Sequence, residues 1–235
     1  MNSTPQNTFD SSDNCRSSRP LRHARTVTFT DVPLCLEQGG TLCPVTVCFE
    51  TYGQLSAETD NAILICHALS GDSHVARHDA DDDPGWWDVM VGPERPIDTD
   101  TYFVICANVL GGCRGTTGPA SIDPATGKPY GRAFPGVTIG DMVRLERMLV
   151  DYLEIPKLAA VVGGSMGGQQ ALCWGVDFPE LAEGVVAMAT APRITNQSLA
   201  FDIVARNAIL HDPSFRDGEY YESGTGPDTG LAIAR

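Results

Sequence analysis

Long apolar runs are missing. None in the 235 residues approaches the roughly 18–20 that a membrane-spanning helix needs, which excludes an integral membrane protein. Basic charge is scarce, with 16 Lys+Arg against 30 Asp+Glu and a net charge of −14. So acidic a surface repels phosphate backbones and anionic lipid, which argues against nucleic-acid and membrane partners. None of the eight cysteines forms a Cys-x-x-Cys pair, so zinc-ribbon and thioredoxin readings fail. No secretory apolar region follows Met1. Cys66 and Cys106 sit inside apolar runs, where a free thiol behaves as a small core residue, and a reduced, cytoplasmic protein is expected.

What is present is an ordinary globular balance, 42% hydrophobic and 20% charged, enough for one large core. With 24 Gly and 16 Pro the chain has many tight turns, as α/β enzymes do and helical bundles do not. Residues 1–25 are Ser- and Arg-rich with little apolar surface and read as a disordered tail. Beyond them, Val27–Thr30 and Val45–Glu50 are β-rich, with Gly39-Gly40 between them as a turn, and read as an antiparallel hairpin. Short continuous apolar runs follow at Ala62–Cys66, Tyr102–Cys106, Leu158–Val162 and Val185–Ala189, the pattern of parallel strands buried on both faces. Thr138 and Asp141 are placed to cap a helix that carries Leu145, Leu149 and Leu153, and a second helix runs from Ser165 to about Asp177. Alternating strands and helices after an opening hairpin predict a mostly parallel, doubly wound α/β sheet over residues 26–192. A further helix is expected at Ile194–Ile209, followed by an irregular stretch from Asp212 to Gly230.

The segment Gly163-Gly164-Ser165-Met166-Gly167 contains Gly-x-Ser-x-Gly at the point where an apolar strand gives way to a helix. That junction is where the motif has mechanical meaning. The chain reverses sharply and lifts the Ser165 hydroxyl above the sheet, while Gly163 and Gly167 lack the β-carbons that would collide in so tight a turn. The amide of Met166, at the start of the helix, is then available to a developing oxyanion. A Walker loop is excluded because no Lys follows the glycines. A second motif, His67-Ala68-Leu69-Ser70-Gly71-Asp72, follows the third strand, where a backbone amide supplies the other oxyanion donor. Leu69 is the candidate. His67 precedes Ser165 in the chain, the wrong order for a catalytic base, and is expected to hold the loop instead. His74-x-x-x-His78 with the acids after it resembles a metal-ligand helix, but Pro84-Gly85 closes the segment and no metal is expected.

The chain resembles the homoserine O-acetyltransferase family of the α/β-hydrolase superfamily. The matching stretches are His67–Asp72, Pro84-Gly85-Trp86-Trp87, Val91-Gly92-Pro93, Pro96–Thr99, Asn108–Cys113, Gly115–Pro119, Gly163–Gly168 and Gly230–Arg235. The resemblance implies an α/β-hydrolase fold, incomplete here, with residues 193–235 as the beginning of a helical lid. It implies a ping-pong transfer in methionine biosynthesis: Ser165 takes the acetyl group of acetyl-CoA and the hydroxyl of L-homoserine receives it. Leu69 and Met166 would stabilise the oxyanion, and Arg235 would bind the substrate carboxylate through its planar fork. Acetyl-CoA is a co-substrate; no cofactor and no metal are implied, and full-length members would form a homodimer. A succinyl donor, a serine acceptor, an esterase-type hydrolase or an inactive fragment are the alternatives, with Asp72 favouring the uncharged acetyl donor. Asn108–Pro119 would shape a tunnel floor, and Trp86 and Trp87 would pack the loop.

Three residues depart from the family pattern: Gln169, Cys173 and Glu146 stand where Met, Glu and Gln are expected. The larger departure is length, since the triad acid and His belong to strands beyond Arg235. Asp202 and His211 follow Ser165 in the right order but lie in a helix and its exit, and are rejected as substitutes. The chain is therefore expected to be C-terminally truncated and inactive alone.

Overall fold

A computed structural model describes residues 21–221 and 223–235. The expected tail of residues 1–25 lies mostly outside the described residues, but its last part is ordered, with Arg25 opening the first strand. The chain divides into two compact units, one of residues 20–118 and 135–193, the other including 119–134 and 194–235.

The first unit contains β1 (Arg25–Phe29), β2 (Leu34–Cys35), β3 (Thr41–Leu42), β4 (Val45–Tyr52), β5 (Ala62–Cys66), β6 (Val91–Gly92), β7 (Ile97–Asp98) and β8 (Phe103–Ala107). It continues with α1 (Ile139–Tyr152), β9 (Ala160–Gly164), α2 (Met166–Asp177) and β10 (Val185–Met188). Six strands form one sheet in the order β1-β4-β8-β5-β9-β10. β1, β4 and β8 pair antiparallel, and β8, β5, β9 and β10 are parallel. This is the mostly parallel α/β sheet expected. β5, at its centre, is buried at every position, as a strand covered on both faces must be.

Two readings change. Gly39-Gly40 does not turn β1 into β4; those strands do pair antiparallel, but the glycines turn a separate two-stranded ribbon of β2 and β3. Both residues have positive φ, 94° and 88°, which a tight turn demands and glycine supplies. The run at Val185 is not buried on both faces either. Among the described residues β10 is the last strand of the sheet, and Val185 and Val186 are 38% and 46% exposed.

α1 starts on the expected cap. The Thr138 side chain accepts from the Asp141 amide and the Asp141 carboxylate accepts from the Thr138 amide. Thr138→Ala should cost about 1 kcal/mol, the usual worth of such a cap, read as a lower urea midpoint at unchanged slope.

In the second unit α3 (Asn196–Leu210) packs on α4 (Asp228–Ala234) through Gly230, where a β-carbon would come within 2.5 Å of the Ala208 carbonyl oxygen. The helix expected over Ile194–Ile209 is present, and the stretch expected to be irregular ends in α4. Among the described residues, no helix is long and apolar enough to cross a membrane.

Candidate active site

Ser165 sits between β9 and α2 with φ 54° and ψ −121°, a conformation that costs a non-glycine residue strain energy and persists only where its surroundings impose it. Its amide donates to the Met188 carbonyl at 3.0 Å, and its carbonyl accepts from the Thr190 hydroxyl at 2.8 Å, so β10 and the residues after it hold the bend. Its residue surface is exposed. The two motif glycines have different tasks. A β-carbon at Gly163 would lie 2.1 Å from the Gly167 carbonyl oxygen, within the turn as expected. A β-carbon at Gly167 would instead lie 2.0 Å from the Cys66 carbonyl oxygen, at the end of β5. Gly167 therefore brings the first turn of α2 against the loop that follows β5.

That loop starts from the strand beside the elbow, since Cys66 of β5 is in register with Gly163 of β9. His67 is buried within it. Its Nε2 accepts from the Val109 amide at 3.2 Å, so its Nδ1 carries the proton and donates to the Ala68 carbonyl at 2.7 Å. Both ring nitrogens are thus committed, and burial holds the imidazole below its ordinary range. His67 is a neutral brace for the loop and has no lone pair left for a proton-transfer role. The Gly71 amide closes a turn on the Ala68 carbonyl at 2.9 Å, with Leu69 at its exposed tip, and the Gln170 side-chain amide of α2 donates to the His67 carbonyl at 3.4 Å. The elbow and the loop carrying Leu69 are thereby tied together from both sides. Met166 follows Ser165 as the first residue of α2, where an amide has no preceding helical turn to accept it.

What supports the next stretch is not visible in local pattern. The Asn108 side chain accepts from the Ser73 amide at 2.9 Å and donates to the Arg114 carbonyl at 2.7 Å, joining the loop after β5 to the loop after β8. Thr116 and Thr117 accept from the Cys48 and Thr46 amides of β4 at 3.0 and 2.8 Å, so these residues of the Asn108–Pro119 run close against β4. Trp86 donates its indole N–H to the Asp72 carbonyl at 2.8 Å and stacks on Trp87, a loop-packing arrangement. Asp72 faces Arg114 at 3.2 Å, which removes most of the force of reading its charge as a bias toward an uncharged donor.

Arg235 caps the end of α4 and is exposed, in the second unit. His211 ends α3, with Nδ1 against its own helix at the Asn207 carbonyl, 2.8 Å away. Burial pushes the Cys66 and Cys106 thiols well above their ordinary value and Cys48 up to about 11, so none of these three competes with Ser165 as a nucleophile.

A family model described as the alpha/beta hydrolase fold matches residues 61–231. The chain is 56% identical over 211 residues to a homoserine O-acetyltransferase of Deferribacter desulfuricans, covering 89% of this chain and 55% of that protein. It is 54% identical to a homoserine O-succinyltransferase of Magnetococcus marinus, covering 86% and 54%. Among solved structures it is similar to esterase E22, at TM-score 0.81 and 36% identity over 90% of this chain and 59% of that one. The homoserine O-acetyltransferase of Bacillus anthracis gives TM-score 0.79 at 38% identity, covering 90% and 58%. The chain spans a little over half the length of each of these proteins.

Proposed function

We propose, for a chain that belongs to the alpha/beta hydrolase fold family, that it carries the acyl-accepting serine of a homoserine O-acyltransferase. The observation that carries this reading is the elbow itself. A strained Ser165 stands on a glycine-locked turn, beside a braced loop at the end of the adjacent parallel strand. Packing alone has no use for a serine held at φ 54°. Similarity to homoserine O-acetyltransferases and an O-succinyltransferase supplies the acceptor class.

In the proposed reaction the Ser165 oxygen attacks the thioester carbonyl of acetyl-CoA, the carbon–sulfur bond breaks, and the coenzyme A thiol leaves with the serine's proton. The hydroxyl of L-homoserine then attacks the acetyl ester, and Ser165 regains a proton as O-acetylhomoserine departs, a step suited to methionine biosynthesis. The Leu69 and Met166 amides stabilise the oxyanion in both halves; losing one such donor typically costs about 10²–10³ in rate. Arg235 is the proposed carboxylate partner. The acid and His that would complete the triad are proposed to lie in the part of the relatives' length that the given sequence does not span. A cytoplasmic protein with no cofactor, and a homodimer at full length, complete the proposal.

The test is an acyl-enzyme trap. The full-length protein incubated with acetyl-CoA and no homoserine should gain the mass of one acetyl group on the peptide that holds Ser165, and homoserine should discharge it. Ser165→Ala should abolish the adduct and the transfer together; an adduct on another residue overturns the assignment. The likeness to esterase E22 and the exposure of Ser165 favour one second reading, ester hydrolysis. Acetyl-CoA consumption that does not depend on homoserine would establish it.

A further inference from the structure

The His74-x-x-x-His78 pair, set aside in the sequence, acquires a third member in the fold. Glu50, on β4, is wholly buried, and among the described residues the ion-pair partners within 4 Å of its carboxylate are two histidines and no Lys or Arg. We propose that Glu50, His74 and His78 form a binding site for a divalent transition-metal ion of the zinc class, separate from the residues of the Ser165 site.

The His74 ring carries the argument. Its Nε2 lies 2.8 Å from the Asp83 carbonyl, which only accepts, so Nε2 holds a hydrogen. In the neutral ring Nδ1 is then a lone pair, and it faces the Glu50 Oε2 at 3.0 Å. Two lone pairs at that distance need a positive charge between them, either a proton or a metal ion. His78 points its Nδ1 at the same Oε2 from 3.5 Å, and Asp82 Oδ2 lies 3.1 Å from that nitrogen. The Glu50, His74 and His78 ligand atoms all lie within 4.8 Å of one another. Metal–ligand bonds of about 2.0–2.2 Å in a tetrahedral site place neighbouring ligand atoms roughly 3.3–3.6 Å apart; His78 stands at that spacing from Glu50, at 3.5 Å, and His74, at 3.0 Å, would move outward by a few tenths of an ångström to admit the ion.

The surroundings are those a metal site requires. A ligating histidine commonly donates its other N–H to a carbonyl, as His74 does to Asp83. The Glu50 oxygens accept from the Tyr52 and Ser73 hydroxyls at 3.0 and 3.3 Å, which orients the carboxylate. The His78 ring lies between those of Tyr52 and His23, each centroid 4.3 Å away, so its nitrogen is aimed before any ion arrives. Two imidazoles and one carboxylate, with Asp82 beside them, are the nitrogen and oxygen donors of zinc or cobalt and too few oxygens for calcium or magnesium. The His78 side chain is 18% exposed and gives the ion a way in. Glu50 stands twenty-four residues before His74, and nothing in chain order hints at the meeting; the segment around His74 and His78 is an irregular loop and not the helix the spacing suggests.

The test is titration of the chelator-treated protein with Zn²⁺, using Co²⁺ as the spectroscopic probe. One Zn²⁺ should bind per chain and raise the melting temperature. Co²⁺ should give visible bands of tetrahedral or five-coordinate intensity without a thiolate charge-transfer band. His78→Ala, at the most accessible ligand, and Glu50→Gln should each weaken Zn²⁺ binding by more than about 100-fold, beyond the usual effect of losing an outer-shell partner. In the unaltered protein, Zn²⁺ should shift the ¹⁵N resonances of His74 Nδ1 and His78 Nδ1, a readout that does not depend on any variant folding. Absence of one-to-one binding, a thiolate band from the exposed Cys35, Cys43 or Cys113, or unshifted histidine resonances would overturn the proposal.

Discussion

Gly167→Ala should lower the stability of the chain by about 3–5 kcal/mol, whereas Gly164→Ala, three residues away, should change it by less than about 1 kcal/mol. At Gly167 the added carbon would sit 2.0 Å from the Cys66 carbonyl oxygen, 2.7 Å from its carbon and 3.0 Å from the His67 carbonyl oxygen. These are backbone atoms of the strand end and the loop beside it, and no side chain can rotate to make room. The first turn of α2 would have to lift off β5, breaking the approach that ties the elbow to the Leu69 loop. At Gly164 the nearest atom is the Met188 carbonyl oxygen at 3.8 Å, an ordinary contact, so the second glycine of this run tolerates a side chain. Urea midpoints at unchanged slope measure both. Equal losses at the two positions would show that glycine is needed for chain flexibility in general and that close approach is not the reason. Because the same displacement moves the Met166 amide relative to the Leu69 loop, the proposed acetyl transfer to Ser165 should fall further than the fraction of folded protein.

This contrast indicates how far the sequence could be read. The motif spacing picks out Gly163 and Gly167 and leaves Gly164 as a filler, and the structure gives each the role its position demands. It could not show that Gly167 presses on a strand about a hundred residues earlier, because strand order is not written in local pattern. The central strands were legible for a related reason: β5 and β8 are continuous apolar runs, which only a sheet covered on both faces can use. Val185–Met188 has the same composition yet forms the edge of the sheet among the described residues, a place that local composition does not encode. Charged residues inside strands were the least legible. Glu50 ends the β-rich run Val45–Glu50, and nothing in that pattern marks it as buried, yet it is fully buried; its partners, Tyr52, Ser73, His74 and His78, sit mostly in another loop.

Glu146 is another buried acid, and it yields the second large expected effect: Glu146→Gln should stabilise the protein by about 3 kcal/mol above pH 8 and by almost nothing at pH 4–5. The side chain lies in α1, enclosed between α1 and α2, with its Oε2 accepting from the Trp174 indole N–H at 2.7 Å. Burial pushes its carboxyl up to about 7, against the pull of Trp174 and the Cys66 thiol, which both favour the charged form. The folded state therefore keeps a proton that the unfolded chain releases near pH 4.5. With the folded value raised, the group's contribution is fully present below pH 4.5, is lost as pH rises toward 7, and leaves a buried charge beyond it. Each tenfold step in proton affinity is worth about 1.4 kcal/mol, so the interval from 4.5 to about 7 amounts to about 3 kcal/mol. Glutamine has the shape of the protonated acid and never titrates, so its stability profile should be flat across that interval. Gln is also the residue the family resemblance led us to expect at this position. Denaturation midpoints of both proteins at pH 5, 6, 7 and 8 decide the matter. A variant that is less stable by the same amount at every pH would mean that Glu146 is ionised throughout and that the Trp174 hydrogen bond carries its charge.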